Sequence, residues 1–463
     1  MVKRLSEFRK SEWFSLFLFS LLVSGILFVS YGYIDLKSLT AWTLNLWDCL
    51  ADGNLYGYYE YCARNIYHLD SSYMGSNYLA LIPWAVWNLP IWVLQRFFGV
   101  IAVGHAWTLL YSKIFVVLVY FITVSFTYRI LTVMKIETEG RTEAVYLAFS
   151  FPFAMTAVYF AGQTDIISIC LFVIAVYQLI QGKRNRFLLF AALSMGAKPY
   201  ILIAYVAVLL LTEKNIWKIL RDAIIGMSPM LLFHLIYRNA PMYQESMSMG
   251  PGAGQLEATL GMTVSSPSGI SISLFLVSLI VFYFLIYIRP WGGQRAEELV
   301  YAVVVPFLLF FMFADYKHYR VIYLFPFLYI LFAVKTDRLF YNLLAECVIN
   351  MGIALKFYLT NGGFFSNWYV FDFVRKFIPD IKLGWLERIH GIKENVMEYG
   401  NPVYVIASSV VFAAFVLLLF INLSKFPQAA KWKEKESGIS VKMLLWVRAL
   451  LPLLLVLLSF YRN

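Results

Sequence analysis

The sequence predicts an all-α protein: a polytopic bundle of about 11–13 transmembrane helices, with a large first extracytoplasmic loop that carries interfacial helices. Three observations predict it. Of the 463 residues, 61% are apolar and only 14% charged, whereas water-soluble domains run near one quarter charged. Apolar runs of about 18 residues or more recur from end to end, each long enough for a hydrocarbon core about 30 Å thick. These runs are continuous and do not alternate, which excludes a β-barrel. Tyr, Phe and Trp make up 18% of the chain, which suits aromatic belts at two interfaces and equally a cavity that receives sugar or lipid. The net charge of +11 fits cytoplasmic loops rich in Lys and Arg, next to anionic lipid headgroups. The basic residues are scattered over short loops, so no nucleic-acid partner is expected.

Charge and length place the elements in order. MVKRLSEFRK precedes a long apolar run without a cleavage site, so it reads as an uncleaved signal anchor with a cytoplasmic N-terminus. The first span, about 13–33, leads out to a long segment, 34–105. Within that segment NYLALIPWAVWNLPIWVLQRFFG is apolar but broken by Pro83 and Pro90; a second span is open to it, and the preferred reading is a helix lying in or dipping into the outer leaflet. A span at 107–134 returns to Arg129, Lys135 and Arg141 inside; one at 143–160 goes out to GQTD; one at 166–181 comes back to Lys183, Arg184 and Arg186. The segment 187–211 reads as two short helices broken at GAKPY, with the break facing outward. Further spans are expected near 222–238, 271–289, 298–314, 321–335, 341–358, 403–422 and 443–460. Two outer loops, one Gly/Ser/Met-rich near 244–269 and one at 361–402, lie between them. The chain reads as one integral-membrane domain, 1–463, with modules 13–212 and 213–463. Of four cysteines, only Cys49 and Cys62 share a loop, the one place where a disulfide is open to the chain.

This topology gathers the notable polar groups on the outer face: Asp35, Asp48, Asp52, Gln163, Asp165, Lys198, and Lys317, His318, Tyr319 and Arg320. Ionisable groups near hydrocarbon are costly and mark sites by default. Each also has a plainer reading. Asp35 would be solvated at a span end, Lys198 would snorkel, and the stretch from Lys317 to Arg320 would anchor the interface. Gln163 and Asp165 would form the first turn of a helix, where the dipole favours Asp. Convergence on one face weighs against all of these. A carboxylate facing cations at a membrane surface suits glycosyl transfer from a lipid-linked sugar. The carboxylate takes the acceptor proton, and cations receive the charge of the departing lipid phosphate. HExxH, paired Cys/His and P-loop patterns are absent from the sequence, so no metal or other cofactor is expected.

One long span ending in an acid, a large first outer loop, GQTD before a span, a basic turn and a Lys-Pro follow one another. Together they resemble the GT-C superfamily of integral-membrane glycosyltransferases, which use polyprenyl-phosphate sugars. The resemblance covers roughly 13–212, with a weaker echo in KHYRVIYLFP, similar to the HxRY-like segments of some members. It implies that Asp35 is the catalytic base, that Gln163, Asp165 and Lys198 line the sugar–phosphate region, and that His318 and Arg320 approach the donor phosphate; Lys317 and Tyr319, in the same stretch, are expected to bind substrate with them. Many members carry Asp-Glu where this chain has Asp35-Leu36, and Tyr-Pro-Pro where it has NYLALIP, so Asp48 stands as the alternative base. The expected function is inverting transfer of a sugar from a polyprenyl-phosphate donor to a lipid-linked glycan, cell-wall polymer or protein acceptor. The expected setting is the outer face of a bacterial plasma membrane. A transporter or flippase, or a polysaccharide polymerase using lipid-linked glycans, is the competing reading. Transporters tend to show matched broken helices in two halves, and here only the one near Lys198 is evident.

Overall fold

The computed structural model describes residues 12–30, 34–64, 66–67, 78–99, 103–249, 262–265, 271–290, 296–314, 316, 318–360, 402–423 and 440–460. Up to residue 160 the helices are α1 (Glu12–Ser30), α2 (Ile34–Ala51), α3 (Tyr58–Ala63), α4 (Ile82–Phe98), α5 (Ala106–Val133), α6 (Thr138–Phe149) and α7 (Pro152–Met155). There follow α8 (Asp165–Ile180), α9 (Arg184–Ala197), α10 (Leu202–Thr212), α11 (Ile216–Tyr237), α12 (Pro241–Met249) and α13 (Leu274–Ile288). The last are α14 (Ala296–Phe313), α15 (Phe327–Val334), α16 (Leu339–Thr360), α17 (Pro402–Ile421) and α18 (Val441–Phe460). One antiparallel hairpin, β1 (Thr263–Ser265) with β2 (Ser271–Ser273), is the small departure from an all-α chain.

Among the described residues, four helical stretches are long and apolar enough to cross a membrane: Ala106–Val133, Ile216–Tyr237, Ala296–Phe313 and Thr336–Lys356. A fifth is the pair Thr138–Phe149 and Pro152–Phe160, bent by 50°. The bend has a local cause. Pro152 pushes Phe151 into an extended conformation, which no helix continues. The hydroxyl of Ser150 donates to Tyr146 O at 2.8 Å and satisfies a carbonyl near the helix end. Segment 82–98 differs from expectation, since α4 runs unbroken through Pro90, while Pro83 sits in the first turn, where a missing N–H costs nothing. The disulfide is absent too. Cys49 and Cys62 are free buried thiols, and Cys62 Sγ instead accepts a bond from Asn45 Nδ2 at 3.5 Å. Burial pushes both thiols up to about 12. The N-terminal signal-anchor residues 1–11, most of the Gly/Ser/Met-rich loop and the loop 361–401 lie outside the described residues.

The helices fall into two compact units with interleaved chain segments. One comprises Met1–Tyr33, Lys135–Phe160 and His318–Asn463, the other Ile34–Met134 and Ala161–Lys317. In the second unit α8 and α9 form a hairpin through Gly182, whose φ of +76° suits a residue without Cβ. Small residues let its helices approach: Ser168 Oγ donates to Ser194 O at 2.9 Å, and Ser194 Oγ donates to Ser168 O at 2.7 Å. Gly226 of α11 lies so close to α9 that a Cβ would stand 2.3 Å from Met195 Cε. Helices α2 and α4 are joined by Trp47 Nε1 donating to Ala85 O (2.7 Å) and Asn88 Nδ2 donating to Thr43 Oγ1 (2.8 Å).

The first unit centres on a buried polar network. Arg448 of α18 is 2% exposed. Its Nε donates to Glu346 Oε1 of α16 at 2.7 Å, and its Nη2 donates to Tyr329 Oη of α15 at 2.8 Å. Tyr329 in turn donates to Glu346 Oε1 at 2.8 Å. The guanidinium also donates to Ser150 Oγ and Leu147 O. Helices α16 and α17 meet at Gly352, where a Cβ would stand 2.4 Å from Val411 Cγ2.

Candidate active site

Asp35 lies in the first turn of α2, not in a loop. The helix dipole favours a carboxylate there. The side chain is half-buried, and its Oδ2 accepts a hydrogen bond from Gln163 Nε2 at 2.8 Å, across 128 residues of sequence. Gly162 makes this meeting happen. Its φ is +60°, and a Cβ on it would stand 2.8 Å from Leu36 Cδ1. The chain therefore turns tightly against the residue next to Asp35 and delivers the following side chain, Gln163, to the carboxylate.

Thr164 and Asp165 continue the same motif. Both are buried, and Asp165 is the first residue of α8. Lys198 lies where α9 ends, in extended backbone imposed by Pro199. The Ser168–Ser194 pair sets the height of both. Asp165 is three residues beyond Ser168 and Lys198 four beyond Ser194, on antiparallel helices, so both occupy the same end of the hairpin. Lys198 is half-buried, and among the described residues its ammonium has no hydrogen bond or ion pair. One end of the second unit thus holds a fixed carboxylate–amide pair, a buried carboxylate and an uncommitted cation.

Asp48 is elsewhere. It lies thirteen residues along α2 from Asp35, about 20 Å at 1.5 Å per residue. Trp92 Nε1 donates to its Oδ1 at 2.8 Å, Tyr67 Oη donates to its Oδ2 at 3.5 Å, and Arg96 Nη1 stands 3.8 Å from Oδ1. Burial raises its pKa, with Trp92 and Arg96 opposing. Both oxygens are engaged in holding α4 and Tyr67 against α2.

His318, Tyr319 and Arg320 belong to the first unit, in a 3₁₀ turn over His318–Leu324. His318 and Tyr319 are buried, and the His318 ring lies 6.4 Å from that of Phe153. Lys317 lies outside the described residues. Sequence reasoning passed over four buried ionisable groups: Lys113 inside α5, Asp222 in α11, and Glu346 and Arg448, which pair. Their signal was a charge inside or beside an apolar run. Comparison with known proteins returns no match among family models, curated proteins or solved structures.

Proposed function

We propose that this chain is a polytopic membrane glycosyltransferase with about 11–13 spans, a cytoplasmic N-terminus and an extracytoplasmic site. It transfers a sugar from a polyprenyl-phosphate donor to a lipid-linked glycan, cell-wall polymer or protein. The observation that carries this reading is the 2.8 Å bond from Gln163 to Asp35, at the same end of the α8–α9 hairpin as Lys198. Gln163 orients the carboxylate. Asp35 then takes the proton of the acceptor hydroxyl as its oxygen bonds to the anomeric carbon. The bond from that carbon to the phosphate oxygen breaks with inversion, and the lipid phosphate leaves with the electron pair. Lys198 receives that developing charge, with Asp165 and Gln163 holding sugar hydroxyls. His318 and Arg320 keep the phosphate-facing role that the GT-C resemblance implies, Lys317 and Tyr319 bind substrate with them, and the reading does not depend on these four.

The test uses detergent-solubilised protein with a polyprenyl-phosphate sugar and acceptor. Asp35→Asn is expected to lower turnover by at least about 10²-fold while leaving donor affinity unchanged, and Lys198→Ala to weaken donor binding. Wild-type turnover in Asp35→Asn would refute the base assignment. Activity seen only across sealed vesicles, with no product in detergent, would replace the enzyme by a transporter.

A further inference from the structure

The second unit has a basic end opposite the candidate site. Lys183, Arg184 and Arg186 begin α9, Lys214 follows α10, and Lys218 and Arg221 lie in the first turns of α11. The ends coincide in space: Arg184 Nη2 lies 2.6 Å from Asp222 Oδ2, and Lys214 Nζ donates to Ile286 O at the end of α13 (3.2 Å). Six cations of α9, α10, α11 and their flanking turns stand there with Asp222 and Glu213, both occupied, and at the end of α13 Arg289 pairs with Glu298 at 2.7 Å. Asp222 is fully buried between Arg184 and Arg221. Glu213 Oε1 accepts the backbone N–H groups of Lys214 and Asn215 at 2.9 and 3.0 Å, with Lys218 at 3.9 Å from its other oxygen. Lys183, Arg186 and Lys218 remain exposed.

From this end an apolar strip runs along α11. Trp217, Leu220, Ile224, Leu231 and Leu235, at steps of three, four, seven and four with Ser228 between the middle pair, lie on one stripe. Each is between 42% and 76% exposed. The strip is about 27 Å long, close to the thickness of a hydrocarbon core. Arg221 lies beside its first turn. Positive charge at one end of a long exposed apolar strip matches an anionic headgroup with its acyl chains.

We infer that the basic end of α9 and α11, with the exposed strip of α11, is a binding site for an anionic phospholipid. Lys183, Arg186 and Lys218 contact the headgroup phosphate, Trp217 sits at the headgroup boundary, and the chains lie along Leu220, Ile224 and Leu231. The site stands whether or not the chain transfers sugar.

The experiment is native mass spectrometry and thermal unfolding of the full chain in detergent, titrated with dioleoylphosphatidylglycerol or dioleoylphosphatidylcholine. Retained phosphatidylglycerol and a rise in Tm are expected, with no comparable effect of phosphatidylcholine. The triple variant Lys183→Gln/Arg186→Gln/Lys218→Gln spares the buried Asp222 pairs and is expected to bind phosphatidylglycerol about ten-fold or more weakly. Arg238→Gln, at the far end of α11, is expected to bind as the wild type does. Equal retention of the two lipids, or unchanged binding by the triple variant, would overturn the site. So would an equal Tm rise with inorganic phosphate at matched ionic strength, or a dimer that covers the strip and excludes lipid.

Discussion

Asp35 and Asp48 share a helix and a residue type, yet their surroundings divide them. Asp35 is half-buried, in the first turn of α2, with an amide on it; Asp48 is 5% exposed under Trp92, Tyr67 and Arg96. A carboxyl whose folded pKa is raised binds its proton more tightly folded than unfolded. Its stabilisation is complete below the ordinary carboxylate range, near pH 4, and is lost as pH rises through the raised value. Asp48→Asn keeps the shape and the acceptor for Trp92 but removes the titration. As pH rises above about 4 the variant is expected to gain stability relative to the wild type, read as a growing Tm difference; a difference that stays flat as pH rises from there would show that Asp48 is not raised on folding. The sequence put Asp35 and GQTD on one face, but not their direct bond. Nothing around Leu36 announces that Gly162 must pack against it, because the Gln163–Asp35 contact across 128 residues is decided by packing of the whole unit.

At the level of the helices, the apolar runs were read closely: α5, α8, the break at Lys198, α11, α14 and α16 lie where length and charge placed them. Their partners were not readable, since a lipid-facing and a protein-facing Leu look alike in sequence. The last helix is the clearest case. Arg448 is costly in an apolar helix, and Glu346 offsets its charge through Oε1, while Tyr329, Ser150 and the carbonyl of Leu147 accept from the guanidinium; Glu346 Oε2 has no hydrogen bond among the described residues. Removing one partner strands a buried charge, at a cost of about 3–5 kcal/mol. Glu346→Gln and Arg448→Met are each expected to destabilise by that order, and the double variant by much less than the sum. A double-mutant cycle on unfolding in detergent measures this; additive losses would show that the pair is not coupled.

Over the whole molecule, the interleaving of segments was hidden. Residues 135–160 belong with 318–463, not with the helices on either side of them in sequence, and local periodicity carries no trace of such a return. The candidate site and the basic end lie at opposite ends of the α8–α9 hairpin. The proposed topology puts them in opposite compartments. Gly104 is exposed, with a Cβ position 3.7 Å from Lys37 Cε near the site end, while Arg186 is exposed at the basic end. With a membrane-impermeant maleimide on sealed cells, Gly104→Cys is expected to label at once and Arg186→Cys only after permeabilisation. The native Cys49, Cys62, Cys170 and Cys347 are buried and keep the background low. Labelling of both from one side would remove the sidedness on which the proposed chemistry rests.

The reciprocal hydroxyl bonds between Ser168 and Ser194 rivet the α8–α9 hairpin within two turns of Asp165 and Lys198. Helices pinned that near their tips cannot scissor apart there. The proposed site therefore has one rigid wall, the tip of this hairpin, from which Gln163 reaches Asp35 at 2.8 Å.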